Sequence, residues 1–296
     1  MLRKTHIISE IGINHNGNIE IAKEMMYRSK ECGVDSVKLQ TYTMDERALP
    51  GSKYYDLFKR CMLSYDEQER LFSYANKIGI DFFSTPFGKK SLDFLIDIGV
   101  KRIKIASFDV TNKEFLRSIS KKAKRNNCDI IMSIGMANYH ELNDAMYNLT
   151  YKESKMGFNL HILHCVSSYP MKDSDANLKA ISKIKKMFCV ESDSFFIKDA
   201  DSTKQIFYNG HKIKPGYSDH SQGIDVPATS VFFGAKIIEK HFTLDLNGDY
   251  IDNPVSADPE MMRELVKRVG TYEAYIGDGE IKMSESELAA LGFRRK

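Results

Sequence analysis

A chain of 296 residues, 42% apolar and 28% charged, buries a large core either as one α/β barrel or as two domains. Its 43 basic and 40 acidic residues leave a net charge of +3, too balanced to argue for nucleic acid. No apolar run approaches the roughly 20 residues that cross a bilayer, and the N-terminus turns polar too soon for a signal peptide. Five cysteines (Cys32, Cys61, Cys128, Cys165, Cys189), an odd number without C-x-x-C spacing, fit reduced thiols and a soluble, cytoplasmic protein.

His6–Ile11 is predicted as the first strand, with Glu10 near its end and Asn14-His15-Asn16-Gly17 as turn chemistry. Asn18 caps a helix with Ile19, Ala22, Met26 and Ser29 on one face, stopping at Gly33. Asp35–Leu39 is the second strand and contains Lys38. A helical region over Tyr54–Ile78 breaks near Ser64. Strands at Asp81–Ser84, Arg102–Ala106, Asp129–Ile134 and Leu160–Cys165 then alternate with helices over Lys89–Ile98, Lys113–Asn126, Tyr139–Asn148 and Leu178–Met187. A short seventh strand falls near Lys214–Tyr217 and an eighth over Ala235–Lys240. Asp258-Pro259-Glu260 starts a last helix, with Asp as cap and Pro at its first position.

Eight strands alternating with helices predict a (β/α)8 TIM barrel over residues 1–280, followed by a tail over 281–296. A doubly wound open sheet is the alternative. Its dinucleotide-binding form needs a G-x-G-x-x-G turn, which this chain lacks. Glu191–Lys212 is polar and longer than a usual α/β connection, which reads as an insertion or surface excursion.

The strand ends carry an unusual set of residues. Lys38 lies in V-K-L-Q and Lys104 in I-K-I-A, both inside apolar strands, where lysine is rarely buried without an anion. Two readings follow. The lysines form an internal ion pair with Glu10 or Glu239, or they hold a phosphate or carboxylate together with small hydroxyls such as Thr85, Ser107, Ser133, Ser167 and Ser218. His220 and His241 each sit just past a strand. They are satisfied loop histidines, or two imidazoles on one divalent metal with positions left open for substrate. Asp219 either caps its loop or orients His220.

The motifs E-I-G-I-N-H-N-G (Glu10–Gly17), V-K-L-Q (Val37–Gln40), S-T-P-F (Ser84–Phe87), K-I-A-S (Lys104–Ser107), S-I-G-M-A (Ser133–Ala137), L-H-C-V-S-S-Y-P (Leu163–Pro170), Y-S-D-H-S (Tyr217–Ser221) and I-I-E-K-H-F-T (Ile237–Thr243) together resemble the sialic acid synthase family. The resemblance implies condensation of phosphoenolpyruvate with an N-acetylated amino sugar, such as N-acetylmannosamine, to a nine-carbon α-keto acid. It implies a catalytic set of Glu10, Lys38, Lys104, His220 and His241, with His220 and His241 holding Mn2+ and Glu10 transferring a proton. It places Lys38, Thr85, Lys104, Ser107, Ser133, Ser167 and Ser218 on phosphoenolpyruvate, and Glu10, Tyr169 and Asp252 on the sugar. Asp109 stands at a substrate position where the family often has Glu, and Ser167 where it often has Asn. A homodimer is implied as well. Family members commonly add a C-terminal antifreeze-like domain. Gly277–Glu287 is similar to its lead-in, and the domain itself is expected to be absent. The alternatives are a synthase that takes a phosphorylated sugar, and a non-catalytic barrel acting as a partner protein.

Overall fold

Side chains alternate across a strand, so each strand of a closed sheet sends every second residue inward and the others towards the surrounding helices. The computed structural model describes residues 4–150, 156–188, 194–198, 203–207 and 211–295. In chain order its elements are β1 (His6–Gly12), α1 (Ile19–Glu31), β2 (Ser36–Thr41), α2 (Met44–Arg47), α3 (Tyr55–Cys61), α4 (Tyr65–Ile78), β3 (Asp81–Pro86), α5 (Lys89–Asp97), β4 (Arg102–Ile105), α6 (Lys113–Asn126), β5 (Asp129–Ser133), α7 (Tyr139–Leu149), β6 (Leu160–Cys165), α8 (Lys179–Phe188), β7 (Ser194–Lys198), β8 (Thr203–Phe207), β9 (Ile213–Asp219), α9 (Asp225–Thr229), β10 (Ile237–Phe242), β11 (Ser256–Ala257) and α10 (Pro259–Ile276).

β1 to β6, β9 and β10 pair side by side in parallel, and β1 pairs β10 to close the ring, so the fold is a (β/α)8 barrel. The short β11 extends from β10, with Ser256 opposite His241. β7 and β8 form an antiparallel hairpin outside the ring. Ile8, Phe83, Ile131, Leu163 and Ile237, from five strands, make an apolar plug inside the barrel. The alternate residues, such as Ile7, Ile11, Val37, Leu39, Ile103 and Ile105, face outward into the larger core against the helices. The helices present matching stripes, Ala22, Met25 and Met26 on α1 and Leu116, Ile119 and Ala123 on α6.

Local chemistry sets the boundaries. Asn18 accepts from the amides of Glu20 and Ile21 at the start of α1. Ser64 and Glu67 form a capping box that starts α4, which is why the predicted long helix breaks there. Asp258 accepts from the Met261 amide and Pro259 opens α10. β9 is longer than expected. Pro215 and Gly216 weaken a strand signal, yet the strand holds because Gly216 packs against Leu163 and Ile237. Part of the predicted Glu191–Lys212 excursion is the β7–β8 hairpin, and 191–193, 199–202 and 208–210 lie outside the described residues. Among the described residues no helix is long and apolar enough to cross a membrane. Cys32, Cys61, Cys128 and Cys165 are free and buried; Cys189 lies outside the described residues.

Candidate active site

Two residues along from the apolar plug, on the same inward faces, stand Glu10, Thr85, Ser133, Cys165 and Glu239. They line a cavity of about 330 Å³ at the C-terminal ends of the strands, where barrels carry their chemistry. Lys38, Lys104 and Ser218 reach the same cavity from β2, β4 and β9, and His241 from the end of β10. The volume suits two small molecules side by side.

The two lysines are nearly fully buried and meet the two glutamates. Lys38 Nζ lies 2.8 Å from Glu10 Oε2 and 3.7 Å from Glu239 Oε1, and donates to Thr85 Oγ1 at 3.0 Å. Lys104 Nζ lies 3.5 Å from Glu239 Oε1, to which Ser218 Oγ donates at 3.1 Å. The internal ion pair and the cavity-facing lysine are therefore the same arrangement. Burial raises the Glu10 carboxyl above its ordinary value, against the opposing charge of Lys38. Burial also lowers the Lys104 ammonium, only partly offset by Glu239. For Glu239 burial is outweighed by Lys104 and Lys38, and its carboxyl stays ionised. The cluster thus holds a carboxyl raised by burial beside a carboxylate held ionised by the lysines.

Several buried polar atoms of the lining have no hydrogen-bond partner among the described residues: Gln40 Oε1, Arg47 Nε, Ser133 Oγ and Glu239 Oε2. Buried polar atoms are otherwise paired, so this concentration marks a place shaped for a polar ligand.

His220 and His241 face each other with ring centroids 5.4 Å apart, and Tyr169 lies over His220 at 4.0 Å. His220 Nδ1 stands 2.7 Å from the Val166 carbonyl oxygen, which only accepts, so Nδ1 carries the proton and Nε2 keeps its lone pair. Burial, with His241 adding to it, pushes His220 down to about 3, which leaves the ring neutral. His241 Nδ1 lies 3.3 Å from Asp252 Oδ2. Burial opposes its charge, but Asp252 turns the net shift upward. Asn14 sets that carboxylate in place: its Oδ1 accepts from the Asp252 amide at 2.8 Å, and its Nδ2 donates to the Phe242 carbonyl at 2.8 Å. Two convergent imidazoles, His220 with Nε2 free and His241 held through Nδ1 by Asp252, fit a divalent ion as two nitrogen donors. Among the described residues no group of three or more His, Cys, Asp or Glu side chains is gathered for a metal, so the remaining positions of such an ion fall to other ligands.

Ser107 Oγ accepts from the Gly135 amide at 2.9 Å, and Gly135 has no space for a side chain: a Cβ there would fall on Ser167 Oγ and crowd Ser107 Oγ. Gly135→Ala is therefore expected to fold, because Ser167 can rotate, but to raise the KM for an anionic substrate about tenfold through one displaced hydrogen bond to a charged group. Steady-state kinetics with the anion varied checks it; an unchanged KM takes Ser107 and Ser167 out of the binding set.

Of the expected residues, Glu10, Lys38, Thr85, Lys104, Ser107, Ser133, Ser167, Tyr169, Ser218, His220, His241 and Asp252 line this one cavity. Asp109 does not. It ends a short helical turn, Ser107–Asp109, with its carboxylate 3.5 Å from Asn112 Nδ2. Asp219 is not beside the His220 ring either. Lys240, fully buried, takes Asp219 Oδ2 at 2.6 Å and also donates to the Ser221 carbonyl at 2.6 Å. Gln40 and Arg47 belong to the lining and were not singled out from sequence. Gln40, at the end of V-K-L-Q, was visible there; Arg47, on a single-turn helix, gave no periodic signal.

The NeuB family model matches residues 25–193 and 198–281. The chain is 36% identical to the N,N'-diacetyllegionaminic acid synthase of Legionella pneumophila, over 95% of this chain and 76% of that protein. It is 32% identical to the enzyme of the same name from Campylobacter jejuni, over 100% of this chain and 84% of that one. A crystal structure of the N-acetylneuraminic acid (sialic acid) synthetase of Leptospira borgpetersenii, in complex with citrate, superposes with a TM-score of 0.83 at 31% identity, covering 98% of this chain and 91% of that one. With this cavity, this barrel and these relatives, the chain belongs to the NeuB family, the sialic acid synthases.

Proposed function

We propose that the protein condenses phosphoenolpyruvate with an N-acylated amino sugar, an acetamido hexose of the N-acetylmannosamine type, to give a nine-carbon α-keto acid and phosphate. Family membership supports a carbon–carbon bond-forming synthase. The observation that carries the reading is the convergence of Lys38, Lys104, unpartnered Ser133 and the two imidazoles on one cavity.

In this reading Lys38 and Lys104 hold the phosphate and carboxylate of the donor, with Thr85, Ser107, Ser133, Ser167 and Ser218 as neutral donors. The donor's methylene carbon forms a bond to the acceptor's carbonyl carbon. Water adds at the donor's central carbon, and the bond from that carbon to the phosphate oxygen breaks. Of the water's two protons, one leaves with phosphate and the other restores the proton that Glu10 gives to the acceptor oxygen. Glu10, whose carboxyl is raised by burial, delivers a proton to the acceptor oxygen. Asp252 and Tyr169 orient the sugar. His220 and His241 would hold a divalent ion, Mn2+ in this reading, which when bound polarises the acceptor carbonyl.

The test is phosphate release from phosphoenolpyruvate labelled with 18O at the bridging position, with Mn2+ and a panel of acetamido hexoses. Release that depends on the sugar, with the label recovered in phosphate, is the expected result. No turnover with any sugar at full metal occupancy overturns the reading.

A further inference from the structure

The lysines at the cavity floor are matched by Glu10 and Glu239. Arg47, at the opposite side of the lining, is not: among the described residues no carboxylate stands within ion-pair distance of it, and its buried Nε has no hydrogen-bond partner. Its guanidinium carbon lies 3.7 Å from the Phe58 ring centroid and 4.2 Å from that of Phe87, with Tyr42 at 6.0 Å. Two aromatic faces fix the plane of the group and leave its edge free to donate.

The helix that carries Arg47 has a single turn, yet it is anchored. At its start Glu46 accepts from the Thr43 amide at 3.4 Å. Glu46 also accepts from the Lys90 amide at 2.7 Å and from the Ser91 hydroxyl, and Lys90 Nζ meets Asp45 at 2.7 Å. Gly88 lies so close to Glu46 that no side chain fits between them. Arg47 is thereby fastened to the start of α5 before any ligand arrives, which is the preorganisation a recognition residue needs.

Two features identify what such a group reads. The lining around it is apolar, with Leu57, Phe58, Phe87 and Phe108, and the other lining cations, Lys38 and Lys104, lie at the floor. Tyr42 lies beside it, and the Asp252 carboxylate lines the same cavity. A phosphate there would meet one cation, with a carboxylate, Asp252, in the same cavity. An acylamino group suits it better, because its carbonyl oxygen accepts from the guanidinium while its methyl packs on the rings.

We infer that Arg47 is a specificity-determining residue for the acceptor, donating to the carbonyl oxygen of its acylamino substituent. The inference rests on the acceptor reading proposed above. Arg47→Met keeps apolar volume between Phe58 and Phe87; Arg47→Lys keeps the charge without the planar fork. Each is assayed with N-acetylmannosamine, with mannose, which has a hydroxyl in place of the acetamido group, and with N-acetylmannosamine 6-phosphate. Arg47→Met is expected to raise the KM for N-acetylmannosamine about 10- to 100-fold, the loss of one charge-assisted hydrogen bond. It is expected to leave the KM for phosphoenolpyruvate within about twofold and to level the parent's preference over mannose. Arg47→Lys shows the same split, smaller, and serves if the methionine variant does not fold. An equal rise in both KM values, a surviving preference over mannose, or a loss confined to the phosphorylated sugar overturns the inference while the condensation stands. A parent protein that turns over none of the three sugars overturns the condensation, and this inference with it.

Discussion

Replacing His241 by alanine is expected to lower turnover by about 10³-fold or more while the barrel stays folded. On the proposed reading, the magnitude follows from removing one of two imidazole donors to an ion that would contribute several kcal/mol to stabilising charge in the transition state. The stability side follows from position. His241 is at the end of β10, and its ring faces the cavity rather than the helix-packed core. Its Nδ1 meets Asp252 at 3.3 Å, so truncation leaves that carboxylate, partly open to solvent, without its neighbour. Water can enter the space that the ring leaves, because Glu10, Asp252 and His220 line the same cavity, and the change in unfolding free energy should stay within about 1 kcal/mol. Two measurements separate the effects: Mn2+ binding followed by electron paramagnetic resonance, and urea unfolding. A variant that unfolds gives the ring a structural role. One that keeps turnover removes the imidazole pair from the mechanism.

Lys240→Met is expected to do the reverse, damaging the fold first. Lys240 and Asp219 are paired at 2.6 Å with no exposure on either side chain. Ser221 donates to both oxygens of Asp219, and Lys240 also reaches the Ser221 carbonyl. Burial alone raises the Asp219 carboxyl, and Lys240 is the main opposing influence. Without the lysine a buried carboxylate is left unmatched, which costs about 3–5 kcal/mol. The double variant Lys240→Met/Asp219→Leu removes both charges and is expected to recover most of that loss. Urea unfolding of the two variants measures it. A single variant within about 1 kcal/mol of the parent shows that the pair contributes little.

Much of this site was legible because strand parity is strict. A lysine at the centre of V-K-L or I-K-I can only face the inside of a barrel whose outer face is apolar, and Lys38 and Lys104 do so. The same rule sends Asp219 and Lys240 outward, one residue from inward-facing Ser218 and His241, so Asp219 meets Lys240 and not the His220 ring. Reading Asp219 as an orienter of His220 took adjacency in sequence for adjacency in space. The partner of that ring, the Val166 carbonyl, belongs to a loop after a different strand and leaves no trace in side-chain pattern. Arg47 was illegible for another reason: one helical turn is too short to show a period, and what makes the residue notable is the absence of a partner, which only coordinates reveal. Asp109 ends a local turn with its carboxylate 3.5 Å from Asn112 Nδ2, a placement that strand parity does not announce.

The ring closes between the first strand and the last, with Glu10 directly opposite His241. Nearly the whole chain separates these neighbours, so no early fragment contains the reaction centre. A ribosome-bound chain that stops short of Ile237 has every lysine and serine of the proposed donor site but nothing to shut the barrel around them. Activity should therefore switch on in one step late in translation, and nascent chains sampled earlier should be silent.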